Sequence, residues 1–518
     1  MKRSMAWRSL AAAALLALSF GALDGNARDG VDIAAAPQAE PAPAARALDG
    51  SGEAPAADPE LASPHIGATD YHVWIMPKPT HEGLAFGSMR IGTAVKLKSP
   101  KPVAGEGCAR GWYEVEPRGY VCLNRRTTLE LGDPYYRALH SVAPNRGAIW
   151  PYRYAHSRGA PIYSRVPTPE EWAAAERGMG APGTYAELGE WAKGHEELIE
   201  KDVKLAATDP VPWFFEGGKR HVGGGTRDVN RLVWKVIPNG SMLSYAAAFE
   251  MHGRVWLVSP DLTVVPADRV QSLRRSQFRG LELTGSVQLP LAWNRSFEGL
   301  PLVTRDSSGR TTATDEVVAG KSAIMILEKA HGTKADPYYE LRDRPGRFVR
   351  GRSVAISWQK KTLPRSIKPG QKWLDAHIVP GTLTAYVGTD PVYATLFSPG
   401  KGGVPVPGND LTKFATTEVG TFRYEWKEWA ATMSNEKGDP TVLWFSDVPH
   451  IQYIHAPLAQ HVAFWHEDFG DPKSAECVNV SPIDGRFLFG FTEPAVPEGW
   501  NGVGANFGPS TPIVISGL

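Results

Sequence analysis

"KWLDAHIVPGTLTAYVGTDPVYATLFSPG" (372–400) divides into three apolar runs, broken at Pro380–Gly381 and at Gly388–Thr389–Asp390. Each run mixes β-branched, aromatic and polar residues in the way of a short strand, and the breaks carry turn residues. Three such runs in succession predict an antiparallel meander. Downstream, "VGTFRYEW" (419–426), "TVLWFS" (441–446) and "HIQYIHAP" (450–457) continue the strand pattern, and "FLFGFTEP" (487–494) reads as the strand that closes it. The expected fold class is therefore mainly β, with a C-terminal β domain over 369–505 and a tail over 506–518.

Toward the N-terminus the same texture persists. "IWPYRYAHSRGAPIYSRV" (149–166) and "FEMHGRVWLVSPDLTVVPADRV" (249–270) read as short strands inside a β-rich middle region spanning 133–368. One helix is expected at "TPEEWAAAERGM" (168–179), where Thr168 caps and Glu170 and Glu171 suit the first turn. "GKSAIMILEKAHG" (320–332) fits either a strand or a short helix. "HVGGGTRD" (221–228) lacks the Gly-Lys-Ser/Thr ending of a phosphate loop and reads as a turn, and no cofactor is expected. From "YHVWIMPKP" (71–79) to "GYVCLN" (119–124), short runs split by Gly and Pro predict a small barrel over 66–132. Cys108 and Cys122 lie 14 positions apart around "GWYEVEP". Adjacent antiparallel strands there bring the pair within disulfide reach, which leaves Cys477 as the unpaired cysteine.

A chain of 518 residues exceeds a single core, so two to four domains are expected. The net charge of +1 gives no electrostatic case for nucleic acid or for a membrane surface. "MKRSMAWR" followed by "SLAAAALLALSFGA" has the form of a secretory signal peptide (1–27), and the Ala/Pro-rich stretch 28–65 that of a disordered tether. An exported protein of the periplasm or cell envelope is expected, without an integral membrane segment after signal cleavage.

The C-terminal blocks carry a resemblance to a family. "KWLDAHIVPGTLTAYVGTDPVYATLFSPGK", "DVPHIQY", "HVAFWHEDFG", "SAECVNVSP" and "FTEPAVPEGW" occur in the order found in the L,D-transpeptidase (YkuD-type) catalytic domain, over about 370–503. "LAFGSMRIGTAVKL" with "GCARGWYEVEPRGYVC" resembles the bacterial Src-homology-3-type domain of exported cell-wall enzymes. The first resemblance implies a β-sandwich-like fold for 369–505 and an enzyme that joins or exchanges peptidoglycan stem peptides through a cysteine acyl-enzyme. The family motif is an upstream His, then Ser/Thr-His-Gly-Cys, an apolar residue, and Asn or Arg. Ser474, Cys477, Val478 and Asn479 match it, while Ala475 stands in place of the motif His and Glu476 in place of the Gly. Glu418 replaces a proline usual in the turn before "VGTF".

What the resemblance implies for each residue follows from the chemistry. Cys477 is the nucleophile, and an imidazole must lower the barrier to its thiolate. His461 fits the family block best as that base, with the Val462 carbonyl holding its ring; His455 is the alternative base. Ser474, Glu476 and backbone N–H groups near Cys477 support the turn and the oxyanion. Asn479, Tyr453, Trp465 and His466 line the substrate side. A carboxylate at Glu476 raises the pKa of the adjoining thiol, with Lys473 as a partial counter-charge, and a residue with a Cβ where the motif has Gly is expected to strain the turn.

Two rival readings accompany this one. His455, His461, His466 and Cys477, with Glu467 and Asp468, are all possible zinc ligands, but their spacing follows no compact ligand signature and no metal is expected. The departures at Ala475 and Glu476 also fit an impaired family member that binds the cell wall without turnover.

Overall fold

The computed structural model describes residues 63–145, 148–182, 196–201, 203–218, 220, 231–434 and 443–517. The expected signal peptide, nearly all of the tether and the 221–228 turn lie outside these residues. The described chain is mainly β, and it divides into two compact units.

The unit that holds Cys477 comprises 276–425, 452–493 and 509–518. Its central sheet contains β1 (Leu281–Glu282), β2 (Lys372–His377), β3 (Thr382–Val387), β4 (Asp390–Leu396) and β5 (Gly420–Arg423). The 372–400 meander forms as read: β2 pairs antiparallel with β3, and β3 with β4. β6 (Leu458–Val462), β7 (Val478–Val480), α1 (Pro482–Phe491) and β8 (Pro512–Ser516) follow. The central sheet runs in the order β1-β4-β3-β2-β8-β5, with β8 parallel to β2. Leu374, Ala376, Leu383, Ala385, Val478, Val480, Leu488, Ile513 and Ile515 share one core beneath it.

Two expectations are corrected here. "FLFGF" lies in α1, not in a closing strand. A short apolar run does not by itself tell a strand from a buried helix; the deciding signal is upstream, where Ser481 accepts from the Asp484 N–H and Pro482 occupies the first turn. The expected tail contains β8, whose Ile513 and Ile515 are buried between β2 and β5.

A second sheet of the same unit has the strand order Thr311–Val318, Leu300–Arg305, Phe348–Arg350, Asp336–Leu341, Ser322–Thr333, Leu291–Asn294, Ala355–Ser357. "GKSAIMILEKAHG" is therefore a strand. Its Ile324 and Ile326 point into a core with Ala292, Leu302, Leu341 and Val349, the alternation a half-buried strand requires.

The other unit comprises the described residues up to Arg275, with 426–451 and 494–508. The expected small barrel does not close among the described residues. His65–Ala68 pairs with Ala94–Lys96 and Thr127–Thr128, Trp112–Glu114 with Tyr120–Cys122, and Val73–Ile75 with Gly87–Met89. Gly87–Met89 continues its ladder onto Gly502–Gly504, so the 494–508 segment belongs with this unit rather than with the 372–400 meander. Cys108 and Cys122 form a disulfide. The predicted helix is present at Pro169–Ala175, with a capping box between Thr168 and Glu171.

Candidate active site

Two neighbouring strands carry the site. β6 and β7 run parallel, with Gln460, His461 and Val462 paired to Val478, Asn479 and Val480. Side chains alternate across a strand, so His461 and Asn479 share a face. Cys477 lies in the bend immediately before β7, and its thiol is held at the start of β6, against the Pro457 carbonyl and the Ala459 backbone, two positions before His461. Tyr453, paired with Ala459 across the antiparallel neighbour of β6, lies on the face of His461 and Asn479 as well. α1 packs closely behind: a Cβ at Gly485 would come within 2.3 Å of Val462 Cγ2. Asp484 fixes the helix, accepting from Tyr393 Oη at 2.7 Å, Thr395 Oγ1 at 2.6 Å and the Gly280 N–H at 2.7 Å.

The ring of His461 is held in one tautomer. Its Nδ1–H donates to the Val462 carbonyl at 3.0 Å, which leaves Nε2 as the basic nitrogen. Trp465 lies beside it at 5.9 Å between ring centroids. Asn479 reaches His466, its Nδ2 donating to Nε2 at 3.5 Å, while the His466 ring packs on Phe469 at 5.0 Å.

The turn that presents Cys477 is tied at each step. Ser474 Oγ donates to the Cys477 carbonyl at 2.6 Å. Thr417 Oγ1 donates to the Glu476 carbonyl at 2.6 Å and itself accepts from the Gly400 N–H at 2.8 Å. The Ser474 N–H donates to Pro399 at 3.0 Å, and the Lys401 N–H donates back to Ser474 at 2.8 Å. Upstream, Arg295 donates to the Gly470 carbonyl at 3.0 Å. Thr417 and Ser398, whose backbone exchanges two hydrogen bonds with Asn479, were not singled out in the sequence. Ser398 has only its place just before the Gly-rich 400–403 turn as a signal, and Thr417, which reaches Gly400 only in the folded chain, has none.

Cys477 is 9% exposed and His461 4%. The thiol donates to the Pro457 carbonyl at 3.7 Å. Burial pushes the thiol up to about 12; the neighbouring Glu476 carboxylate adds to the rise, and a hydrogen bond from the Ala459 backbone opposes it. Burial pulls the His461 imidazole down to about 4, against the support of Val462. At neutral pH the pair is therefore a neutral thiol beside a neutral imidazole.

Three readings of this turn change. Glu476 is not among the described non-glycine residues with positive φ, so the motif-Gly position is taken without backbone strain. Lys473 pairs with Asp468 and is not among the influences on the thiol. Ala475 is exposed, so the side chain at the motif-His position points away from the buried pair. His455 stands apart from His461: its Nε2 meets Glu418 Oε2 at 2.8 Å, and both side chains are more than a third exposed. Among the described residues no group of three His, Cys, Asp or Glu side chains is placed to hold a metal. No described helix is long and apolar enough to cross a membrane.

Comparison with protein-family models finds no match, and comparison with curated proteins finds none. Solved structures similar to the chain include the catalytic domain of the E. faecium L,D-transpeptidase, at 20% identity over 28% of this chain and 98% of that one, with a TM-score of 0.21. An L,D-transpeptidase from Mycobacterium smegmatis matches at 18% identity over 37% of this chain and 82% of that one, TM-score 0.21. One from Mycobacterium tuberculosis H37Rv matches at 14% identity over 44% and 79%, TM-score 0.20. What the site can do follows from its own geometry.

Proposed function

We propose that the chain is an exported cysteine acyltransferase of the L,D-transpeptidase type, acting on peptidoglycan stem peptides. The observation that supports this reading is the Cys477 thiol held at the start of β6, against Pro457 and the Ala459 backbone, two positions before a His461 ring whose tautomer the Val462 carbonyl fixes. His461 Nε2 takes the thiol proton as sulfur attacks a stem-peptide amide carbon. The C–N bond then breaks, and the leaving amine recovers the proton from His461. An amine of a second stem attacks the thioester and releases the thiol. Tyr453, Asn479, Trp465 and His466 frame the donor peptide. The basic and apolar N-terminal sequence supports export, and the Cys108–Cys122 disulfide is at home in an oxidising compartment.

The closed, neutral state of the pair favours a second reading, a wall-binding protein without turnover. Under the first reading, donor binding must uncover the buried thiol and bring the thiol and imidazole pKa values together before attack. Intact mass after incubation with a tetrapeptide stem separates the two. An acyl adduct that Cys477→Ala abolishes supports the enzyme; a bound but unmodified chain supports the binder.

A further inference from the structure

The Glu418–His455 pair has no part in the cysteine chemistry described above, yet both residues extend from segments that touch the thiol turn. Glu418 follows Thr417, whose hydroxyl donates to the carbonyl of Glu476, the residue before Cys477. His455 lies two residues before Pro457, whose carbonyl receives the Cys477 thiol. The two side chains meet at 2.8 Å, and the ring of Phe422 stands 5.7 Å from that of His455. At 36% and 38% side-chain exposure the pair is open to solvent on one side. A carboxylate–imidazole contact this exposed contributes little to stability, which leaves its position beside the thiol turn to be explained.

We infer that Glu418 is the subsite for the cationic primary amine of the acceptor, with His455 as the residue that positions its carboxylate. This deepens the acyltransferase reading and rests on it. An ammonium group is a point charge with three N–H donors. Glu418 presents an accessible carboxylate next to an aromatic edge, a combination that receives such a group through charge-assisted hydrogen bonds. Once a thioester stands on Cys477, the Glu418 carboxylate takes one ammonium proton and the freed nitrogen attacks the thioester carbon. The C–N bond forms as the C–S bond breaks. Sulfur leaves with its electron pair and takes the nitrogen's second proton through His461.

Two measurements on the full 518-residue chain test the inference. The first needs no acyl chemistry. Calorimetric titration of the Cys477→Ala protein with Nα-acetyl-lysine amide and with its uncharged counterpart Nα-acetyl-norleucine amide reads the preference for charge. The amine is expected to bind roughly tenfold tighter, the discrimination of one charge-assisted hydrogen bond, and Glu418→Gln is expected to erase it. The second reads the partition of the acyl-enzyme between added amine and water, which Glu418→Gln lowers by a similar factor. Equal binding of the two probes, or a preference that survives Glu418→Gln, overturns the subsite. A charge preference in a protein whose cysteine is never acylated retains the amine subsite and removes the acyltransferase reading instead.

Discussion

Ser474 donates its hydroxyl to the backbone carbonyl of Cys477 across 2.6 Å, closing the short turn on which the thiol sits. Both residues are buried, so the bond is shielded from competing water. Ser474→Ala leaves that carbonyl without its side-chain donor and is expected to cost about 1–3 kcal/mol. The urea midpoint should fall accordingly, and acylation of Cys477 should slow because the turn no longer holds the sulfur against β6. An unchanged midpoint and an unchanged acylation rate together would remove Ser474 from the supporting set.

His461 makes stability depend on acid. Its folded-state pKa, lowered to about 4 chiefly by burial, lies below the ordinary imidazole value of 6.5. The neutral ring is favoured in the folded chain, so its contribution is fully present above 6.5 and is lost as pH falls toward about 4. The size is roughly 3 kcal/mol over that window. His156, in the other unit, is likewise lowered to about 4 by burial, so acid sensitivity of the wild type alone does not assign the effect. The difference between wild type and His461→Asn does. Their unfolding free energies should converge between pH 6.5 and pH 4; a constant gap across that range would contradict the shift.

The Cys108–Cys122 bridge closes a loop with a sequence separation of 14. Loop closure of this length constrains the unfolded chain by roughly 3 kcal/mol in the chain-entropy account. Reduction, or Cys122→Ser with Cys108→Ser, should lower the melting temperature, and peptide mapping without reductant should recover the two residues linked. Linkage of Cys477 to either would overturn the pairing and remove Cys477 as a nucleophile.

The meander at 372–400 was legible because runs of β-branched and aromatic residues broken by Gly-containing turns are local signals, and β2, β3 and β4 pair with their sequence neighbours. The helix at 168–179 was legible for the same local reason, the Thr168–Glu171 capping box. What the sequence concealed is non-local. β8 enters the sheet beside β2 from well over a hundred residues away, and nothing in "TPIVIS" distinguishes a central strand from an apolar tail. The ladder from Gly87–Met89 onto Gly502–Gly504 spans still more of the chain, and no local pattern ties 494–508 to the N-terminal strands it joins. At the site, Cys477 and the candidate imidazoles could be named from the family resemblance. Thr417 at the Glu476 carbonyl, the commitment of Lys473 to Asp468, and the ordinary φ at Glu476 are tertiary facts that no local pattern announces.

The remaining prediction concerns the reactivity of Cys477. A thiol pushed up to about 12, mainly by burial and further by Glu476, carries very little thiolate at neutral pH. Below that value the thiolate fraction rises about tenfold per pH unit, so modification should be markedly faster at pH 9 than at pH 7. A carbapenem is the probe of choice under the acyltransferase reading, because its strained lactam reports the same attack as a stem-peptide amide. The wild-type chain is expected to gain the mass of the compound, Cys477→Ala to gain none, and His461→Ala to react at least tenfold more slowly for want of a base. Glu476→Gln removes the like charge and should shift the pH–rate profile toward lower pH while burial keeps the thiol above its ordinary value. Ala475→His with Glu476→Gly adds an imidazole to the exposed side of the turn, removes the carboxylate and loosens the backbone beside the sulfur. This double variant should react fastest of all. Adduct in the double variant but not in the wild type would identify a degenerate site that these two substitutions repair, whereas no adduct in either, at any pH up to 9, would take acyl transfer away from Cys477.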